Sequence, residues 1–174
     1  GLIPNVFSAD GRHAYNSVDA SLWYVWAVQM LLQVDPQRMG FVKEYCWPAI
    51  KEILRAYAGG QVPFVRADEE GFLDVGDEQT QLTWMDAVVD GRPVTPRHGQ
   101  PVEISALWYN ALAFADHLAR RFDEPHWQDS VDQRDRMRAV FVCGPTSCSP
   151  FPCPFPSSKK TITPPWSRAC ASAC

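Results

Sequence analysis

The stretch from Asp74 to Glu103 gathers Asp74, Asp77, Glu78, Trp84, Asp86, Asp90, Arg97, His98 and Glu103. Carboxylates, an indole, a guanidinium and an imidazole together suit the cleavage of a sugar. An indole face covers the apolar face of a pyranose, and Arg, His and Asn bond its hydroxyls. Two carboxyls split a glycosidic bond, one as acid and the other as base or nucleophile. An acidic loop is also what plain solvated surface looks like, and on residue types alone that reading stays open. Other chemistries find less support. The chain has no Gly-rich phosphate loop, no His-Glu-x-x-His helix and no Gly-x-Ser-x-Gly elbow. Asp68-Glu69-Glu70-Gly71 lacks the alternating ligand spacing of a calcium loop. The cysteines near the carboxyl end lack paired C-x-x-C spacing and a nearby histidine, which argues against zinc. No metal or cofactor is expected.

The elements that must position these residues read mainly as helices. Asp19 to Val34 forms the first, with Ser17 or Asp19 able to accept from amides of its first turn and Asp35-Pro36 ending it. Leu22 to Leu32 is apolar on every side, which predicts burial all round. A second helix is expected from about Pro36 to Tyr57, bent at Pro48 and closed by Gly59-Gly60. Phe64-Val65-Arg66 and Phe72-Leu73-Asp74 flank Asp68 to Gly71 as a short hairpin. Gly76 to Gln100 reads as a loop, and loops of that length in compact domains are usually functional or disordered. Pro101 opens a third helix, with Glu103 in its first turn and Arg120 and Arg121 at its carboxyl end, where the helix dipole favours those charges. Ile104, Leu107, Trp108, Ala111, Phe114, Ala115 and Leu118 form its apolar stripe. Trp23 and Trp108 are expected in the core, and His117 on a helix surface. Trp127 to about Phe141 starts a fourth helix. Helices joined as hairpins by long loops give an all-α assembly.

The 174 residues carry a net charge of -4, 46% hydrophobic and 21% charged residues, which is enough for a packed core. The acidic balance argues against a nucleic-acid partner. The run Leu22 to Leu32 is too short to span a bilayer, so no membrane partner is expected, and no signal-peptide pattern opens the chain. The averages conceal two unlike parts. Residues 1–135 hold all 20 acids and 11 of the 16 Lys and Arg residues, a net of -9. Residues 136–174 hold no acid and five basic residues, with five of the six cysteines and seven of the 15 prolines. We therefore divide the chain into an acidic body, 1–138, and a Pro/Cys/Ser-rich tail, 139–174, expected to be disordered and foreign to the body. A shift of reading frame explains such a break; a disulfide-rich extension is the weaker alternative.

Several runs resemble the glycogen debranching enzymes: Gly1 to Asn5 (GLIPN), Tyr15 to Trp23 (YNSVDASLW), Gly76 to Ala87 (GDEQTQLTWMDA), and Thr95 to Ile104 (TPRHGQPVEI) followed by Leu107 to Leu112 (LWYNAL). They stand in one order over roughly residues 1 to 135. The resemblance is to the amylo-α-1,6-glucosidase domain of bacterial and archaeal type, a cytoplasmic enzyme without cofactor that acts on glycogen or a branched α-glucan. It implies an (α/α)6 barrel of six inner and six outer helices with the active site at one mouth. It makes Asp86 the general acid, protonating the leaving oxygen of an α-1,6-linked glucose stub, with Trp84 and Met85 supplying apolar surroundings that favour the protonated carboxyl.

The family inverts the anomeric centre, which requires a water activated by a second carboxylate ~6.5–9.5 Å away. No segment of this chain matches the part of the family that supplies that base. Glu103, Trp84, Arg97, Asp19, Asp77 and His98 are the expected substrate-binding residues, and Asn110 has the chemistry to join them. Glu103 and Asp19 carry a structural reading as well, each being an acid in the first turn of a helix. A closed twelve-helix toroid needs on the order of 300 residues, so a partial barrel is expected, inactive as an isolated chain. The alternatives are a related (α/α)6 hydrolase of glucoamylase or trehalase type, and a fragment that binds α-glucan or packs with a partner without turnover.

Overall fold

The computed structural model describes residues 1–124 and 128–143, and it is mainly helical with small antiparallel sheets. A hairpin of β1 (Val6–Phe7) and β2 (His13–Ala14) precedes α1 (Asp19–Val34). Then come a 3-10 turn (Pro36–Arg38), the single turn α2 (Met39–Phe41), a π-helical turn (Val42–Cys46) and α3 (Trp47–Ala58). The hairpin β3 (Val65–Ala67) and β4 (Leu73–Val75) pairs Val65 with Val75 and Ala67 with Leu73. A third hairpin, β5 (Val88–Val89) and β6 (Arg92–Pro93), lies inside the long loop. Finally α4 (Val102–Arg121) and α5 (Gln128–Cys143) follow.

Side-chain contacts fix how the helices run. Tyr57, near the end of α3, donates its hydroxyl to Val18 O at 2.9 Å, just before α1 begins, and Tyr24 reaches Cys46. Tyr57 also lies 6.0 Å from Trp108, early in α4, whereas Trp47 at the start of α3 meets Phe122 just past the end of α4. Both α1 and α4 are therefore antiparallel to α3 and parallel to each other. Asn110 Nδ2 donates to Gln29 Oε1 at 2.8 Å across that parallel pair. In turn α5 folds back along α4, with Arg134 against Asp116 at 2.9 Å. Two parallel helices thus share an end, and antiparallel helices alternate with them along the chain.

The core is built on Leu22, Val25, Trp47, Ile50, Leu54, Tyr57, Leu73, Ile104, Trp108, Leu112 and Leu118, all almost wholly buried. Burial pushes the Tyr57 hydroxyl up to about 12. Trp108 is the anchor of the stripe on α4: its indole N–H donates to Gly71 O at 3.1 Å, and Gln133 Nε2 on α5 donates to the same oxygen at 3.0 Å. Gly71 has φ +93, and a Cβ there would lie 2.8 Å from Gln133. The tip of the β3–β4 hairpin therefore fits between α4 and α5 only as glycine. Truncating Trp108 to alanine removes packing on the order of 3–5 kcal/mol.

Two expectations need correction. First, α1 is not buried all round. Leu22, Val25, Val28 and Gln29 face the core, but Trp23 is 48% and Trp26 41% exposed. The two indoles meet edge to face at 5.5 Å on the outer side. An all-apolar run carries no period, so it could not say which side faces out. Second, three small hairpins are present where one was expected. The helix expected from Pro36 to Tyr57 is present as one helical run over 36–58, which opens with the 3-10 turn and carries the π-helical turn just ahead of Pro48. Pro48 has no N–H to donate back along the helix, and the π-helical turn immediately precedes α3. The helix expected from Trp127 to about Phe141 is present as α5, Gln128–Cys143. The rest of the tail, 144–174, lies outside the described residues, as does Trp127. The twelve-helix barrel itself lies beyond what these elements display.

Candidate functional site

The long loop is a closed excursion. Val75 N donates to Gly99 O at 2.7 Å and Gly99 N to Val75 O at 2.8 Å, so its two ends are zipped together at the end of β4. Leu82 O, within the loop, accepts from Val18 N at 2.8 Å. That bond fastens the loop to the amino end of α1. At the other end of the loop Arg97 forms an ion pair with Glu103 in the first turn of α4. Because α1 and α4 are parallel, both fastenings lie at one end of the helix pair. Asp19, Glu103 and the loop that carries Trp84, Asp86, Arg97 and His98 are assembled there from three separate parts of the chain.

Each residue has its own setting. Asp19 is only 6% exposed, in the first turn of α1, and its Oδ1 accepts from Ser17 Oγ. Ser17 Oγ in turn accepts from Ala20 N at 3.2 Å, so Ser17 caps the helix and Asp19 is held through it. Glu103 and Arg97 are mostly covered, with side chains 26% and 25% exposed. Arg97 Nε and Glu103 Oε1 are buried without a hydrogen-bond partner among the described residues. Buried polar atoms are nearly always bonded, so each unpaired one calls for an explanation.

Asp86 lies on the exposed part of the loop. It is four residues beyond Leu82, so by chain reach it is within about 14 Å of that residue, which is bonded to the amino end of α1. Trp84 is 65% exposed. The apolar enclosure expected around Asp86 from Trp84 and Met85 is therefore not formed by the described residues.

Asp77 is exposed and spent on local structure. Its carboxylate accepts from Gln79 N at 2.9 Å, and its own N–H donates to Thr80 Oγ1 at 2.7 Å. His98 is exposed at the zipped base of the loop, beside Gly76. Asn110 bonds Gln29, a buried partner, which ties it to the helix pair. Trp108 is in the core, as its place on the stripe of α4 suggested. His117 is half-buried and stacked on Phe114, not a plain surface residue; burial and then Arg121 hold its imidazole below the usual value.

The structure adds features that residue reading missed. Asp90 and Gly91, with φ +50 and +75, form the turn of β5–β6 inside the loop. An Asp-Gly pair between Val88-Val89 and Arg92 was the available signal. Among the described residues no cluster of three or more His, Cys, Asp or Glu is placed to hold a metal ion. No described helix is long and apolar enough to cross a membrane.

The family model for amylo-alpha-1,6-glucosidase matches residues 1–142, which takes in the zipped loop, both helix ends and most of α5. The chain belongs to the amylo-α-1,6-glucosidase family. Its kinship is thus with glycoside hydrolases of the glycogen-debranching type, whose substrates in general are glucans. The match stops one residue short of the end of α5 at Cys143 and excludes the remainder of the Pro/Cys/Ser-rich tail. No solved structure matches this chain.

Proposed function

We propose that this chain carries the proton-donating part of an amylo-α-1,6-glucosidase site. The reaction is release of glucose from α-1,6 branch stubs of glycogen or a related branched α-glucan, with inversion. Asp86 is the general acid, delivering its proton to the leaving oxygen. Glu103, Arg97, Trp84, Asp19, Asp77 and His98 bind the sugar, Glu103 and Arg97 foremost. The observation that carries the reading is the family match across a loop fastened to the shared end of two parallel helices. The Arg97–Glu103 ion pair supports it further, since it fixes the end of the loop to the first turn of α4. Asp19 is held by Ser17, and Asp77 shapes the turn at the head of the loop.

In the same reading α1 and α4 are inner helices of an (α/α)6 barrel, with α3 and α5 among the outer ones. Alternation of direction along the chain supports this, as does the uncovered tryptophan face of α1, where neighbouring helices would pack. Inversion needs a water on the far face of the sugar and a base to activate it. No segment here corresponds to that base, so the 174-residue chain alone binds glucan without turnover.

The test is glucose release from phosphorylase limit dextrin, with linear maltose as control. The isolated chain should release none from either. A chimera in which residues 1–142 replace the matching segment of an active family member should release glucose from the dextrin and not from maltose. Release from maltose would move the assignment to a glucoamylase-type hydrolase. Turnover by the isolated chain within about tenfold of the active relative would place the base within it, at Glu103 or Asp19.

A further inference from the structure

A second feature stands beside the loop and is not used by the chemistry above. Phe64 has φ +61, a left-handed conformation that a bulky L residue rarely adopts, and it is 58% exposed. An aromatic ring held out to solvent on a strained backbone is the kind of outlier that function retains. It lines an open cavity of about 320 Å³ together with Gly60, Arg66, Asp74 and Gly76, a volume at the lower end of small-ligand sites (roughly 300–1,000 Å³). Arg66 Nε and Nη2 both donate to Asp74 Oδ2, at 3.3 and 3.0 Å. Asp74 Oδ1 therefore remains to accept, and the guanidinium, largely exposed, has further N–H groups to give. The backbone is fixed by Gly76 N, which donates to Phe64 O at 2.8 Å. The residue that bears the ring is thus tied to the first residue of the Gly76–Ala87 run that contains Asp86.

We propose that this pocket is a second carbohydrate subsite, with the Phe64 ring stacked on one glucosyl unit and the Arg66–Asp74 pair bonding its hydroxyls. The inference rests on the α-glucan reading given above. Aromatic face, planar donor and free acceptor oxygen are complementary to a pyranose, which is apolar on its face and carries hydroxyls around its edge. Its attachment to the head of the loop suits it to hold a unit of the glucan at a distance from the bond being cut. A second weak contact on one polymer raises the occupancy of both by effective concentration.

The experiment is an NMR titration of the full 174-residue chain with maltopentaose, following Phe64 ring and Arg66 side-chain resonances for this pocket and the Trp84 indole for the loop. Saturable shifts at Phe64 and Arg66 are expected. In Phe64→Gly the pocket should bind at least about tenfold more weakly, while Tm is kept or raised, because glycine takes φ +61 without strain and an exposed ring leaves no core cavity. Trp84 shifts should persist in that variant. Unmoved Phe64 and Arg66 resonances in the wild type overturn the proposal, as does unchanged binding in Phe64→Gly or weaker binding accompanied by a fall in Tm. Shifts at Trp84 without shifts at Phe64 reject this subsite and leave the reading of the loop standing. Shifts at Phe64 without shifts at Trp84 do the reverse.

Discussion

Arg97, near the end of the zipped loop, and Glu103, in the first turn of α4, form an ion pair whose remaining buried atoms, Arg97 Nε and Glu103 Oε1, have no partner among the described residues. The pair fixes the loop to the helix, and in the proposed function its two members bind the sugar. In an active chimera containing residues 1–142, Glu103→Gln should therefore act mainly on binding. We expect KM for limit dextrin to rise about tenfold with kcat within about threefold of the parent, as for loss of an interaction made equally in ground and transition states. Steady-state kinetics check this. A fall in kcat comparable to that for Asp86→Asn would give Glu103 a part in the chemistry.

Trp23 and Trp26 form an edge-to-face pair on the uncovered side of α1. Large exposed apolar patches favour association. The isolated chain should self-associate with rising concentration, and Trp23→Lys with Trp26→Lys should shift it toward monomer in sedimentation velocity. Tm should change by no more than a degree or two, since neither ring is in the core.

His117 contributes a pH dependence whose sign follows from its setting. Burial, and then the charge of Arg121, lower its pKa in the folded chain from the ordinary 6.5. The unfolded chain then binds the proton more readily, so this contribution is complete above pH 6.5 and is lost as the pH falls from there toward the folded value. Thermal melts between pH 8 and 5 should show Tm falling on acidification. His117→Gln should flatten that slope while keeping the ring's position polar. An unchanged slope in the variant would remove His117 as its source.

Much of the fold could be read from single residues that punctuate the chain. Asp35-Pro36 stops α1 and Pro101 opens α4 because proline cannot donate within a helix. The stripe with Trp108 faces inward as its spacing requires. The exposed side of α1 could not be read, since Leu22 to Leu32 offers apolar residues on every side, and only the packing of α3 and α4 selects between them. The hairpins β1–β2 and β5–β6 escaped because two-residue strands are too short to alternate; Asp10-Gly11 and Asp90-Gly91 were their only marks.

The candidate site was proposed from a set of residue types in one loop, and the order of the motifs in the chain pointed to the family that the match over residues 1–142 establishes. The connections were not. The Val75–Gly99 zipper, the Leu82–Val18 bond and the Arg97–Glu103 pair join positions whose spacing follows no secondary-structure period. Nor did sequence neighbourhood translate into enclosure: Trp84 is two residues from Asp86, yet its indole is turned largely to solvent.

The central claim is that Asp86 donates the proton in α-1,6 cleavage. Its most direct test is kcat for glucose release from phosphorylase limit dextrin by the 1–142 chimera and by the same chimera with Asp86→Asn, with Tm and limit-dextrin binding measured on both. Asparagine keeps the size of the side chain and removes the acid, so fold and binding should be retained while kcat falls by about 3–5 orders of magnitude. An Asp86→Asn chimera that keeps kcat within about tenfold of its parent would contradict the assignment.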